Sequence, residues 1–184
     1  MITMRKLIVK ALQVTRLNKL AHRIYYSHVH GFDTASPQLL YGIQLALEES
    51  KKSGVAQFGD YYEFGVFKGY SFWYAQNKAQ DLGLDSMRFF GFDSFEGLPK
   101  VKDVDFTKHN EFYKGQFACN KEQVVKNLNS KGVKWDRTFL IKGYYEESLT
   151  TISQEEYDMR PIAVALIDCD LYSSTCIVLH FIKS

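Results

Sequence analysis

Four nearly continuous apolar runs, separated by helical patterns, set the strongest constraint on how this 184-residue chain folds. The runs cover residues 61–64, 87–93, 138–143 and 161–168. A strand with one solvated face alternates apolar and polar residues, whereas an uninterrupted apolar strand is typical of a parallel sheet covered by helices on both faces. The order β-α-β-α-β-α-β therefore predicts an α/β fold with a doubly wound parallel sheet.

One helix start is marked clearly. Ser36 is suited to the N-cap and Pro37 to the first helical position. The helix that they begin is predicted to stop near Lys52, with Gly54 as the left-handed residue past its end.

Other helices follow from apolar spacing. Further helices are predicted over 72–82 and 120–130. Residues 1–30 carry apolar residues three and four positions apart, which indicates one or two amphipathic helices. We therefore divide the chain into an N-terminal helical cap, residues 1–54, and a sheet domain, residues 55–184.

Two glycines, Gly65 and Gly69, lie between the first apolar run and a helix that begins near Ser71. Glycine lets the backbone turn tightly and approach a ligand, and the helix start offers unpaired N–H groups. The spacing differs from the G-x-G-x-x-G fingerprint of dinucleotide sites, and the carboxylate of Glu63 would repel a pyrophosphate on this turn. The loop therefore favours a nucleoside without phosphates.

Carboxylates end three of the four runs, at Glu63, Asp93 and Asp168, and Asp170 follows two residues beyond the last. Ligands of doubly wound sheets bind outside the carboxyl ends of the strands, so these groups are expected to share one crevice. Several buried carboxylates repel one another, and a cation or ligand hydroxyl groups would relieve that repulsion. The alternative for each is a helix N-cap, and for Asp170, ahead of Leu-Tyr-Ser-Ser-Thr, both interpretations stay open.

The segment of residues 97–119 shows little periodicity and contains several aromatic residues. Loops of this length in a compact domain are usually functional lids or disordered, and the aromatic content favours a lid. His109, within this segment, is either a general base or a solvated side chain.

The charge distribution is uneven along the chain. A net charge of +2 and a pI of about 8.3 are too mild to predict nucleic-acid binding. Peripheral contact with an anionic membrane or a polyanion is one interpretation of the basic N-terminal segment, and a solvated helix face is the other. Six basic residues precede the first acidic residue, Asp33, namely Arg5, Lys6, Lys10, Arg16, Lys19 and Arg23.

The three cysteines, Cys119, Cys169 and Cys176, are widely spaced and form no C-x-x-C pair. Neither a disulfide framework nor a zinc site is predicted, and a reducing cytoplasm fits this pattern. The apolar stretch of residues 7–9 is broken by Lys10, so it is too short for a signal peptide or a membrane span.

Several sequence blocks resemble the macrocin O-methyltransferase family, class I S-adenosylmethionine-dependent enzymes that act on sugar hydroxyls in macrolides and related glycosides. The resemblance covers approximately residues 35–180, and its most specific blocks are those at Asp93 and Asp168. It implies a Rossmann-like sheet of the class I methyltransferase type. The blocks are residues 62–66 with Gly69, 92–99, 114–117, 142–144 and 168–175.

The resemblance implies a role for individual residues. The methionine end of S-adenosylmethionine would be held by Glu63, Gly65, Gly69 and Ser71. Asp93, followed by Ser94, would accept the ribose hydroxyls, which suits a carboxylate about twenty residues beyond a nucleotide loop. Gly143 and Tyr144 would border the adenine.

The resemblance also implies a magnesium ion beside the cofactor. Asp168 would bind Mg²⁺, with Asp170 a second ligand or an orienting neighbour, and both are candidate catalytic residues. An alcohol is a poor nucleophile until metal coordination lowers its pKa, and alignment with the sulfonium methyl would supply much of the remaining acceleration. The expected function is Mg²⁺-assisted O-methylation of a sugar or glycan hydroxyl by a cytoplasmic enzyme.

Three alternatives remain open. The acceptor of a class I methyltransferase could be something other than a sugar, the chain could be a non-catalytic module that binds the cofactor, or Asp93 could bind the ribose of NAD in a dehydrogenase.

Family members continue with a further strand and two adjacent aspartates that complete the metal site, whereas this sequence ends at Ser184. We expect either a fragment of a longer gene product, lacking the C-terminal strands, or a shortened protein that binds cofactor without turnover. The fourth run would then form an apolar sheet edge, and such edges favour association, so a homo-oligomer is expected.

Overall fold

The computed structural model describes residues 35–106, 112–151 and 157–183. They form a parallel sheet with helices on both faces, which confirms the predicted α/β fold. The strands are β1 (Asp60–Phe64), β2 (Phe89–Asp93), β3 (Thr138–Lys142) and β4 (Ile162–Ile167). The helices are α1 (Pro37–Lys52), α2 (Tyr70–Asp81), α3 (Lys121–Ser130), α4 (Tyr145–Thr151) and α5 (Tyr172–Lys183).

The strands lie in the order β3-β2-β1-β4 and all neighbours are parallel. The chain moves outward from β1 through β2 to β3 and then returns to the other side of β1. Ligands of doubly wound sheets bind where the direction reverses, which here is between β1 and β4. Hydrogen bonds continue the ladder past the strand ends, because Gly65 N–H donates to Phe92 O (3.0 Å) and Asp168 N–H donates to Phe64 O (2.9 Å).

Both faces of the sheet are covered, as the uninterrupted apolar runs predict. Tyr61 and Phe89 pack on the face that carries α1, α2 and α3, whereas Phe64 and Phe92 pack on the face that carries α4 and α5. Each of these buried aromatic side chains contributes on the order of 2 kcal/mol. Strand alternation places Glu63 on the same face as Tyr61, beside α2.

The predicted cap of α1 is observed, and α3 also begins at a side-chain cap. Ser36 Oγ accepts a hydrogen bond from Leu39 N–H at 3.1 Å, and Pro37 is the first residue of α1. Asn120 caps α3 by accepting a hydrogen bond from Gln123 N–H at 2.8 Å. Side-chain capping therefore fixes where both helices begin.

A buried ion cluster joins the amino ends of the strands. Asp60 has no exposed surface and accepts hydrogen bonds from Arg88 Nε (3.0 Å) and Nη2 (2.7 Å) and from Arg160. The cluster ties β1 to the residues that enter β2 and β4. It lies at the end of the sheet opposite the crevice, so its role is structural.

Some predictions fall outside the described residues. These are the N-terminal amphipathic helices, the basic segment and His109. Residues 35–184 form one compact unit, and the predicted boundary after residue 54 stays a prediction. In the part of the chain that the structure describes, every helix is too short or too polar to cross a membrane.

Candidate functional site

Asp93, at the end of β2, clamps the glycine loop that follows β1. Its Oδ2 accepts hydrogen bonds from the N–H groups of Val66 (2.9 Å) and Phe67 (2.8 Å), and its Oδ1 accepts one from Phe95 N–H (2.7 Å). Burial raises the pKa of Asp93, although these hydrogen bonds oppose the rise. Because Asp93 uses these loop N–H groups, they are not free to bind a phosphate, as expected for a nucleoside ligand without phosphates.

The two loop glycines have left-handed backbone conformations, with φ of 99° at Gly65 and 91° at Gly69. A Cβ at Gly65 would lie 2.4 Å from the carbonyl oxygen of Asp168, and one at Gly69 would lie 3.0 Å from the Leu128 side chain. The packing of the protein itself therefore requires glycine at both positions. Phe67 is also left-handed, with φ of 50°, and the hydrogen bond from its N–H to Asp93 supports that conformation.

Glu63 belongs to β1 and has no exposed surface, and its side chain reaches the start of α2. Its Oε2 accepts a hydrogen bond from the Tyr61 hydroxyl and its Oε1 accepts one from the Ser71 hydroxyl, both at 2.7 Å. Burial raises the pKa of Glu63 to about 8, against the opposing effect of both hydroxyl groups. Glu63 thus holds the helix start through Ser71, while a direct contact with the cofactor stays a prediction for both residues.

The remaining predicted cofactor residues line the ends of β2 and β3. Ser94 Oγ donates a hydrogen bond to Gly97 O (2.7 Å) and accepts one from Glu96 N–H (3.0 Å), so Ser94 stabilises its own turn. Gly143 N–H donates to Asp93 O at 3.0 Å, which places Gly143 and the half-buried Tyr144 beside the clamp. The structure therefore groups these residues around the same strand ends.

The two carboxylates that follow β4, Asp168 and Asp170, are exposed. Although both residues are exposed, surrounding protein atoms displace part of the water around each carboxylate and raise the pKa of both, that of Asp170 to about 6, with the charge of Asp168 adding to the rise at Asp170. Within the described residues, neither carboxylate has a hydrogen-bond or ion-pair partner. Among the residues described, the first turn of α5 is capped instead by Asp105, so the N-cap alternative for Asp170 is not observed.

The chemistry of this carboxylate pair fits a divalent cation. Mg²⁺ is usually held by one or two carboxylates together with water or substrate oxygens. No set of three or more acidic, His or Cys side chains able to hold a metal occurs in the described ranges. Asp168 and Asp170 would therefore supply only part of a coordination shell.

Backbone hydrogen bonds join the two flanks of the predicted lid. Leu98 N–H donates to Gln116 O (2.9 Å), and Gly115 N–H donates to Leu98 O (2.8 Å). The rings of Phe117 and Phe67 meet edge to face, with centroids 6.1 Å apart. These described flanks of the segment therefore pack beside the glycine loop.

Sequence reasoning missed two residues near the site, Tyr61 and Asp105. Strand alternation is a signal for Tyr61, because residues two apart on a strand share a face. Asp105 is 3% exposed and accepts hydrogen bonds from the N–H (2.8 Å) and the hydroxyl (2.9 Å) of Ser173. The two residues are 68 positions apart, so no local pattern marks this contact.

Comparison of the sequence with protein families gives a match to macrocin-O-methyltransferase (TylF) over residues 36–183. One curated relative is the 8-demethyl-8-(2,3-dimethoxy-alpha-L-rhamnosyl)-tetracenomycin-C 4'-O-methyltransferase of Streptomyces olivaceus, 29% identical over 141 residues, or 72% of this chain and 50% of the relative. Another is the mycinamicin III 3''-O-methyltransferase of Micromonospora griseorubida, 25% identical over 146 residues, or 76% of this chain and 55% of the relative. The chain thus spans about half the length of these curated relatives.

Solved structures share the fold. The O-methyltransferase NovP matches with a TM-score of 0.65 and 21% identity, over 78% of this chain and 58% of NovP. The calicheamicin methyltransferase CalS11 matches with a TM-score of 0.61 and 27% identity, over 76% of this chain and 58% of CalS11. The sheet is therefore the Rossmann-like sheet of methyltransferases.

Proposed function

This chain belongs to the macrocin O-methyltransferase family, and from that premise we propose that it transfers a methyl group from S-adenosylmethionine to a sugar or glycan hydroxyl with Mg²⁺ assistance. One observation carries the proposal. The glycine loop clamped by Asp93 lies at the reversal between β1 and β4, beside the exposed pair Asp168 and Asp170. A loop that would suit a phosphate-free nucleoside thus adjoins two carboxylates without protein partners among the described residues.

The cofactor would lie across the ends of β1, β2 and β3. Its methionine end would contact the segment from Glu63 to Ser71 through Gly65 and Gly69, and its ribose would contact Asp93 and Ser94. The Asp93 carboxylate has about four acceptor sites, of which backbone N–H groups use three, so about one is left to accept a ribose hydroxyl. Gly143 and Tyr144 would border the adenine.

Asp168 and Asp170 would hold the metal ion at the acceptor side of the cofactor. When bound there, Mg²⁺ would lower the pKa of the acceptor hydroxyl, which makes an alcohol a better nucleophile. Rigid strand ends would keep the two carboxylates in position, and in-line alignment of the acceptor oxygen supplies a large part of the rate in such reactions. The names of both curated relatives specify O-methylation, and one of them specifies a rhamnosyl substrate, which supports a sugar hydroxyl as the acceptor.

The proposal is tested by titrating the 184-residue chain with S-adenosylmethionine in a calorimeter, with NAD as the control. Transfer of a labelled methyl group is then assayed with thymidine diphosphate-rhamnose and with an aryl rhamnoside, with and without Mg²⁺. Saturable binding of S-adenosylmethionine and Mg²⁺-dependent labelling of either sugar support the proposal. Binding without transfer to any acceptor would leave a cofactor-binding module, and binding of NAD alone would indicate a dehydrogenase.

Asp168→Asn is expected to lower methyl transfer at least about tenfold at saturating Mg²⁺, because the amide removes one anionic ligand of the metal. S-adenosylmethionine affinity is expected to stay within about twofold, since the change lies on the acceptor side. Initial rates and calorimetric titrations measure the two quantities. Asp136→Asn, an exposed substitution beyond the amino end of β3, is the control, and equal rates for both variants would remove Asp168 from the metal site.

The predicted membrane contact, homo-oligomer and cytoplasmic location remain expectations from the sequence. Gel filtration and vesicle sedimentation of the 184-residue chain would measure the first two.

A further inference from the structure

We propose that Asp105 is a positioning residue for methyl transfer: it caps α5 from another part of the chain and thereby holds the turn of Asp168 and Asp170 in place. This inference rests on the proposed function, since that function assigns the two carboxylates to the acceptor side. The contact that carries it is the double hydrogen bond between Asp105 and Ser173.

Asp105 and the two residues beside it show the reverse of the burial expected from their polarity. Asp105 is 3% exposed, whereas the apolar residues on either side, Val104 and Phe106, are 57% and 60% exposed. Burying a carboxylate is costly unless hydrogen bonds compensate, so a turn that buries the acid and exposes its apolar neighbours is organised around the acid. The Asp105 carboxylate accepts a third hydrogen bond, from Lys102 N–H to Oδ2 at 3.0 Å.

Helix α5 has no capping side chain of its own at the expected position. Leu171 precedes the first helical residue, Tyr172, and an apolar side chain cannot accept a hydrogen bond from the helix N–H groups. Asp105 Oδ1 accepts the N–H of Ser173, the second helical residue, which is a donor that an ordinary N-cap side chain would satisfy. The cap is therefore supplied from a residue 68 positions earlier.

The external cap has a consequence for the carboxylate pair. Asp170 comes directly before Leu171 and could otherwise turn toward the helix N-terminus as a cap. With Asp105 in that role, Asp168 and Asp170 keep their carboxylates exposed and without partners among the described residues. Leu171 lies between Asp170 and the helix and is only 1% exposed, so it is held in the core. With Leu171 packed in the core and Ser173 bonded to Asp105, the residues that directly follow Asp170 are fixed in place.

The first test measures the turn itself, through the thiol of Cys169. This half-buried residue lies between the two carboxylates, and its Sγ is 3.7 Å from Phe64 O. In a background with Cys119→Ser and Cys176→Ser, Asp105→Ala is expected to raise the rate of reaction of Cys169 with dithiobis(nitrobenzoate) by about 5- to 30-fold, the effect of losing a helix cap. Ser173→Ala, which removes only the hydroxyl contact, is expected to give a smaller rise and serves if Asp105→Ala does not fold.

Ser36→Ala is the matched control, because it removes the side-chain cap of α1. Ser36→Ala is expected to lower the melting temperature about as much as Asp105→Ala does and to leave the rate of the Cys169 reaction unchanged. If Asp105→Ala and Ser173→Ala do not exceed this control, other contacts hold the turn and the proposal is wrong.

The second test separates positioning from stability. With thymidine diphosphate-rhamnose as the acceptor probe, Asp105→Ala is expected to lower kcat about 5- to 30-fold while the Kd of S-adenosylmethionine changes less than about twofold. Asp105→Asn keeps one acceptor oxygen for Ser173 N–H and is expected to recover part of kcat. A faster Cys169 reaction with unchanged kcat overturns the positioning role.

A wild-type chain that transfers no methyl group to either thymidine diphosphate-rhamnose or the aryl rhamnoside would count against the proposed function. The Cys169 rates would still decide whether Asp105 holds the turn, so the two failures can be told apart.

Discussion

Asp93→Ala is expected to weaken S-adenosylmethionine binding by about 100-fold or more and to lower the free energy of unfolding by about 3 kcal/mol. The substitution removes the acceptor for the N–H groups of Val66, Phe67 and Phe95 in one step. Each unsatisfied buried N–H costs about 1–3 kcal/mol, and the loop loses the contact that supports the left-handed Phe67. Calorimetric titration and urea unfolding measure the two effects.

Two control variants separate the clamp from the loss of charge. Asp93→Asn keeps one acceptor oxygen and is expected to weaken binding only about tenfold. Asp81→Asn removes an exposed ion pair with Lys78 and is expected to change the free energy of unfolding by less than about 0.5 kcal/mol. Wild-type affinity in a folded Asp93→Ala protein would show that the clamp does not shape the cofactor site.

The sequence predicts the strands closely because each one is a short apolar run with both faces buried. The four predicted runs contain the observed strands, apart from Asp60 at the start of β1. Asp60 precedes the apolar run, so the sequence pattern does not assign it to the strand, and the structure pairs it with Arg88 and Arg160 in an interior cluster. A local pattern does not reveal that a charged residue has partners from distant segments.

The sequence predicts helix α4 only as the third helix in the alternating order of strands and helices, without a residue range. It has seven residues, from Tyr145 to Thr151, and two acidic residues in its first turn. So short a helix shows too few apolar positions for a 3.6-residue period to stand out. Its position follows from the core instead, where Leu149 is buried on the same face as Val178 of α5.

The location of the candidate site was predictable, whereas the partners of its residues were not. Parallel strands bring their carboxyl ends to one edge, so the grouping of Glu63, Asp93 and Asp168 follows from the strand assignments. The hydrogen bonds from Val66 and Phe67 to Asp93 depend on β1 and β2 being neighbours in the observed register. A sequence pattern indicates neither that adjacency nor the contact of Asp105 with Ser173.

Relative to the wild type, Glu63→Gln is expected to gain stability as the pH rises from about 4.5 to about 8. Burial raises the pKa of Glu63 from 4.5 to about 8, so the folded protein keeps a proton that the unfolded chain releases. Between these values the folded state binds more protons, and the stability of the wild type falls by up to about 1.4 kcal/mol per pH unit. This contribution is fully present below pH 4.5 and is lost as the pH rises through about 8. The glutamine variant has a neutral amide that does not titrate, so it does not show this fall in stability.

The surroundings of Glu63 can accept the amide. The hydroxyls of Tyr61 and Ser71 both donate to the carboxyl group, and either can turn to accept a hydrogen bond from the amide nitrogen. Urea unfolding from pH 5 to pH 8 is expected to show the stability of the variant relative to the wild type growing by about 3 kcal/mol. Asp93, Asp168 and Asp170 titrate in both proteins, so their contributions largely cancel in this difference.

The same pair of proteins tests whether Glu63 contributes to cofactor binding. A cofactor with a sulfonium and an ammonium group favours an ionised carboxylate nearby, so the affinity of the wild type is expected to rise toward pH 8. The variant, which has no charge to gain, is expected to lack that rise and to bind at least about tenfold more weakly at pH 8. Equal affinities at pH 8, with the stability difference intact, would confine Glu63 to holding Ser71 and the start of α2. A stability difference that stays flat with pH would instead show that Glu63 is ionised in the folded protein throughout this range.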